Sequence, residues 1–237
     1  MTEESVFSDR IRAPGPAWPA RGVLAFTKME LKIFRTLLGT GQEKAPILGG
    51  MTKIVFFPGL VLAGPMLGAP QAGMVLETLS RRGTKEFFSL GLCGALQPDL
   101  TWGDVVVPLT AFSEEGVSAC YPLAGPPSPD PGLAGVILDH LRRKNQKFKV
   151  GKVWTTDAPF RETREKISRH AADGVLAVDM ETSALMTVAR FRNLAWAGLM
   201  VVSDELWGEK WRPGFQSVEL KKGLKTAAEI ILEAARS

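Results

Sequence analysis

Two histidines, two cysteines and a single tyrosine in 237 residues leave little material for several kinds of chemistry. Cys93 and Cys120 cannot build a disulfide framework, and their neighbours lack metal-ligand spacing, so no metal is expected on them. No histidine lies near either cysteine to form a visible nucleophile pair, and His140 and His170 fall in separate helical patterns that read as surface positions. No apolar run approaches the roughly 20 residues needed to cross a bilayer. The chain opens on Glu3, Glu4, Asp9 and Arg10 before any apolar run, unlike a secretory leader, so free thiols in the cytoplasm are the expectation. A dominant charge sign is also missing. The formal net charge is only +4 and comes from dispersed Lys and Arg, which argues against a nucleic-acid partner. The short run Arg142-Arg143-Lys144 reads as the end of a helix, where cations suit the dipole.

Hydrophobic content of 45% and charged content of 23% are those of a folded globular protein long enough for a large core. Residues 1–21 carry Pro14, Gly15, Pro16 and Pro19 without periodicity, which predicts an irregular arm that could lie over a neighbouring subunit. From residue 22 to 237 strands and helices alternate with no linker or repeat. Strands are predicted at Val23–Phe26, Ile54–Phe57, Phe87–Leu90, from Val105, at Phe148–Thr155 and at Val175–Val178. Helices are predicted at Glu30–Leu38, Pro70–Arg81, Leu133–Arg143, Glu162–Ala172, Thr182–Phe191 and Ser217–Ala235. The proline-rich stretch from Tyr121 to Gly135 reads as a surface loop. This alternation predicts one three-layer α/β domain.

Two carboxylates stand out. An apolar strand delivers Glu181 to a helix start, and Leu199-Met200-Val201-Val202-Ser203 delivers Asp204 to a strand exit. Each alone fits a helix cap. Together they suit a cleft at the strand ends, where carboxylates bind hydroxyls and move protons. The small residues of Gly91-Leu92-Cys93-Gly94-Ala95, where the strand is expected to stop at Leu90, would let a backbone approach a ligand.

Three segments resemble the nucleoside phosphorylase and nucleosidase superfamily, whose members cut the bond between a ribose and its base. They are Gly91 to Pro108, with its glycine turn and Gly103-Asp104-Val105 strand start, Thr155-Thr156-Asp157-Ala158-Pro159-Phe160-Arg161-Glu162-Thr163, and the pair around Glu181 and Asp204. Their order agrees, and the resemblance runs from about Gly22 to Arg236. It implies a central mixed sheet closing into a distorted partial barrel with helices around it, and a homo-oligomer, dimer or hexamer. It implies that Met180 and Glu181 hold the ribose and that Phe160, Cys93 and Gly94 meet the base. It also implies that Asp204 protonates a departing purine. Ordinary core packing is the alternative for Met180 and for Phe160.

The resemblance also shows departures. The family's phosphorylases carry an N-terminal phosphate loop, an arginine two residues before the glycine turn and a hydroxyl inside it. Here the first strand runs into Phe26-Thr27-Lys28-Met29-Glu30, Ser89 stands at the arginine position and Leu92 at the hydroxyl position. The segment from Gly22 to Phe34 looks instead like the start of the family's hydrolases, in which a glutamate at the position of Glu30 activates water. A solvated first-turn glutamate is the alternative for Glu30, and Lys28 could substitute for a lost phosphate ligand. The expectation is hydrolytic cleavage of a purine nucleoside without cofactor. Phosphorolysis, with inorganic phosphate as co-substrate, is the second reading, and a silent nucleoside-binding or storage protein the third. Trp207, Trp211 and Phe215 could form an aromatic lid over an apolar 5′ group; packing within the protein or at a subunit contact is the favoured expectation.

Overall fold

The structure, a computed structural model, describes residues 17–237. Residues 1–16 of the expected arm lie outside the described residues. Residues 17–20 run without helix or strand and are tied down at Trp18, whose backbone N–H donates to Arg82 O at 2.8 Å, and Arg21, expected in the arm, opens the first strand.

Ten strands form one mixed sheet: β1 (Arg21–Ala25), β2 (Gln42–Ile47), β3 (Thr52–Phe57), β4 (Leu60–Gly64), β5 (Glu86–Ala95), β6 (Val105–Glu114), β7 (Phe148–Thr156), β8 (Val175–Asp179), β9 (Ala195–Glu205) and β10 (Arg212–Pro213). Their order is β10-β9-β6-β7-β8-β5-β1-β4-β3-β2, and β9 also pairs with β5. That extra pairing closes β5, β9, β6, β7 and β8 into a five-stranded barrel, from which β1, β4, β3 and β2 extend as an open wing.

Among the described residues six α-helices cover the sheet. On one face α1 (Lys28–Leu38), α3 (Pro131–Arg143) and α6 (Val218–Ala234) bury Leu31, Phe34, Ile137, Leu141, Leu224 and Ile231. On the other, α2 (Gly68–Arg81) and α5 (Thr182–Phe191) bury Val75, Leu76, Leu79, Leu185 and Val188. The apolar stripes at helical spacing make these faces, because each helix must shed one side's water to pack. The last helix, α4 (Arg164–Ala172), covers a smaller cluster around Trp154, Ile167 and Leu206. Arg142 and Arg143 do close α3, as the dipole favours.

Several expectations need correction. Strand β5 does not stop at Leu90 but runs on to Ala95, so Gly91 and Gly94 are strand glycines rather than turn glycines. The absent side chains make room: a Cβ on Gly91 would lie 2.5 Å from the Phe26 ring. Helix α4 begins at Arg164 with Thr163 as its cap, not at Glu162, because the Thr163 hydroxyl accepts the Lys166 amide. His170 is not a surface residue; it is 8% exposed and stacks on Trp154 with ring centroids 4.4 Å apart. Burial lowers its pKa.

Candidate active site

Strand β5 changes partners along its length, and the change opens the site. Its first half pairs with β1 up to Ala25 opposite Leu90, and its end pairs with β8 from Gly94 opposite Val178. Between these points β1 turns away into Phe26 and Thr27, leaving a gap over Leu92 and Cys93. A cavity of about 560 Å³ fills it, lined by Phe26, Thr27, Met66, Leu67, Met180, Glu181 and Asp204 among others. Strand ends beside a partner switch hold polar groups rigidly while leaving them open to a ligand.

Glu181 occupies the N-cap position of α5, yet its side chain makes no cap hydrogen bond. Asp179, two residues earlier, accepts the backbone N–H of Thr182 at 2.8 Å and is itself held by the Thr155 hydroxyl at 2.6 Å. The Glu181 carboxyl instead crosses to α2 and accepts the amide of Gly68 at 2.6 Å. Gly68 sits at φ 76°, a left-handed conformation that suits glycine. Burial, then the charge of Asp179, push Glu181 up to about 8. Burial likewise raises Asp179, against the hydrogen bonds from Thr155 and Thr182.

Asp204 leaves β9 at the far wall. The indole N–H of Trp211 donates to its Oδ2 at 2.8 Å, and the Ser203 hydroxyl lies 2.7 Å from its Oδ1. Trp211 is placed by β10, which pairs back onto Asp204 and Glu205 and is fastened by Arg212 Nη1 to buried Glu205 at 2.6 Å. Gly94 is the floor here: a Cβ would meet Leu206 Cδ1 at 2.5 Å and Asp204 Oδ2 at 3.2 Å. Buried Cys93 lies beside it, its thiol pushed up by burial and by Asp179 and Asp204. Phe160 stands at the rim with its ring fully exposed.

Glu30 lies behind Thr27 rather than among the lining residues. It is 0% exposed, its Oε2 accepts the Thr27 amide at 3.0 Å and the Thr27 hydroxyl, and its Oε1 has no partner. Burial raises its pKa. Among the described residues none of Glu30, Glu162, Asp179, Glu181 or Asp204 takes part in an ion pair.

Residues 21–236 match the family described as the phosphorylase superfamily. The chain belongs to the phosphorylase superfamily. It is 31% identical to a DeoD-type purine nucleoside phosphorylase of Bacillus cereus over 73% of each chain. It is 30% identical to a guanosine phosphorylase of Halorubrum lacusprofundi over 62% of this chain and 61% of that protein. In structure it resembles a uridine phosphorylase of Vibrio fischeri, with TM-score 0.81 at 24% identity over 92% of this chain and 91% of that one. An AMP nucleosidase of Bacteroides thetaiotaomicron superposes with TM-score 0.77 at 23% identity, over 98% of this chain and 99% of that one. These relatives are enzymes acting on N-glycosidic bonds.

In this member of the phosphorylase superfamily Glu181, Met180, Asp204, Phe160, Cys93 and Gly94 line one cavity, and Glu30 is not among its lining residues. Full exposure of Phe160 rules out core packing within the chain, and burial of Glu30 rules out a solvated first-turn glutamate. Lys28 is not at the cavity; it lines a separate groove with Lys32, Arg35 and Lys53. Trp211 and Phe215 line the cavity beside Asp204 and lie against each other, ring centroids 6.2 Å apart; Trp207 is not among the lining residues. Two carboxyls were missed. Asp179 was legible as an Asp three residues before Thr182 at a helix start, a cap spacing. Glu162 was hidden by its assignment to a helix. Among the described residues no cluster of three His, Cys, Asp or Glu is arranged to hold a metal, and no helix is long and apolar enough to cross a membrane.

Proposed function

We propose that this protein cleaves the N-glycosidic bond of a purine nucleoside with water as the attacking group. The charge of the cavity wall carries this choice. Glu162, Asp179, Glu181 and Asp204 line it, and Arg164 is the one Lys or Arg among its lining residues. The Arg164 guanidinium is already bound to the carbonyls of Leu206 and Gly208 at 2.7 and 2.5 Å. A phosphate dianion would enter among carboxyls with no free cation from the described residues to compensate it, whereas water carries no such penalty. Relatives named for guanosine and purine nucleosides support the purine.

In this reading the Glu181 carboxyl meets the ribose hydroxyls, Met180 packs on the sugar and the base lies against Phe160 over Cys93 and Gly94. As the C1′–N bond breaks, its electron pair goes to the base and a proton on Asp204 passes to a base nitrogen, which makes the base a better leaving group. Water adds to the positive C1′ centre, and its proton goes to Glu30 past Thr27. The products are free base and ribose or a 5′-substituted ribose, and no metal or organic cofactor is needed. Exposed Leu67 and Phe160 at the mouth are apolar surface that a second copy would cover, so a homo-oligomer belongs to the same reading. Phosphorolysis is the second reading, favoured by the phosphorylases at 30% and 31% identity.

Incubation with guanosine, inosine, adenosine and uridine, with and without phosphate, tests both. Free base and free ribose at a rate indifferent to phosphate are expected. Ribose 1-phosphate, or strict dependence on phosphate, would overturn water as the attacking group.

A further inference from the structure

Glu162 is a cavity carboxyl that the steps above do not use. It follows the helical turn Pro159–Arg161 and precedes the α4 cap Thr163, so it stays off the helix and lines the same cavity as Asp204. No hydrogen bond or ion pair reaches its side chain among the described residues, and the cation two residues on, Arg164, faces the Leu206 and Gly208 carbonyls. Asp204 is placed differently, with Ser203 and Trp211 at its two oxygens. The other titratable groups lining the cavity are Arg164, Cys93 from β5, Asp179 at the end of β8 and Glu181 at the cap of α5. Burial, then the charge of Asp204, push Glu162 up to about 7.

A partly buried carboxyl without donors, in a cavity lined by three further carboxyls, takes up a proton rather than stand as another anion. We infer that Glu162 and Asp204 share one proton at the base end of the cavity, held by Glu162 in the empty site and handed through Asp204 to the departing base. The Glu162 O–H breaks as the Asp204 O–H forms. The Asp204 O–H then breaks as the base N–H forms, while the C1′–N electron pair goes to the base. The pair, left doubly ionised, regains its proton from solvent. This rests on Asp204 as the base's proton donor and makes Glu162 a positioning residue for that proton.

Infrared titration of the unliganded protein tests the shared proton without requiring turnover, and so stands apart from the test of the reaction. A carboxylic-acid C=O band titrating near 7 is expected in the wild type, absent in Glu162→Gln, and shifted down by about a unit or more in Asp204→Asn. A band unchanged in Glu162→Gln would overturn the inference. Kinetics give the second readout. Below about pH 7, Glu162→Gln should lose roughly tenfold or more in kcat/KM for a nucleoside, and it should converge on the wild type by about pH 9. It should lose far less with 4-nitrophenyl riboside, whose leaving group needs no proton, and Glu162→Asp should recover part of the nucleoside rate. Profiles that fall in parallel at every pH and with both substrates would mark Glu162 as structural only.

Discussion

The Asp179 carboxylate accepts the backbone N–H groups of Glu181 at 3.2 Å and of Thr182 at 2.8 Å, so the glutamate at the head of α5 is relieved of capping it. Of two acids separated by one residue, one holds the helix and the other is left for a ligand. Asp179→Asn should keep an acceptor for Thr155 while removing the charge that helps to push Glu181 up to about 8. Ribose hydroxyls donate to the ionised carboxyl, so riboside affinity in the wild type should rise with pH through about 8. In Asp179→Asn the midpoint of that rise should move lower, as read by calorimetry across pH. An unmoved midpoint would show that Asp179 does not tune Glu181.

Glu181→Gln should weaken ribosides by about 1–3 kcal/mol and leave free bases almost unaffected, because only the sugar hydroxyls lose a charged acceptor. Equal losses for both ligand types would remove Glu181 from the ribose.

The same substitution tests a pH effect on stability. The folded pKa of Glu181 lies above its ordinary 4.5, so its contribution is fully present below 4.5 and is lost as pH rises through about 8. The unliganded wild type should therefore melt lower at about pH 9 than at about pH 6, and Glu181→Gln should flatten that difference. A glutamine variant with the wild-type pH dependence would contradict this.

Gly94→Ala should cut kcat by tenfold or more while the protein stays folded, since its Cβ would press on Leu206 and on the Asp204 carboxylate. A shift of about 1 Å in a reacting group can cost roughly 10² in rate. Asp204→Asn sets the scale, with an expected loss of about 10² or more. Full turnover in folded Gly94→Ala would mean that the position of Asp204 does not matter.

Glu30→Gln keeps the reciprocal hydrogen bonds with Thr27, which glutamine also makes at this cap position. The variant should fold, bind nucleosides nearly as well as the wild type, and lose turnover. Comparable rates in the two proteins would exclude Glu30 as the base that activates water.

Local chemistry was enough to read much of this from the sequence. The 3.6-residue apolar spacing located all six helices, because burying one face leaves a period in the chain. The order of the glycine segment, the Phe160 segment and the Glu181 and Asp204 pair carried the family and six residues of one cavity. Strands β2, β4 and β10 went unread: β10 has only two residues, and β2 lies at the edge of the wing with no buried residue and so shows no alternation. β4 is buried along its whole length, and a short apolar run has no period either.

What only the tertiary structure decided are the consequences of meeting across distance. The opening of the site depends on β5 exchanging β1 for β8 at Leu90 to Gly94, and no segment of the chain encodes a change of neighbour locally. Glu181 could be read as a helix cap until Asp179 and Gly68 were placed around it. Glu162 could be read as a first-turn helical residue until Thr163 took the cap and Asp204 came to the same cavity. A carboxyl's chemistry follows from its burial, its donors and its nearest charge, and those are properties of packed neighbours far apart in the chain rather than of the residue itself.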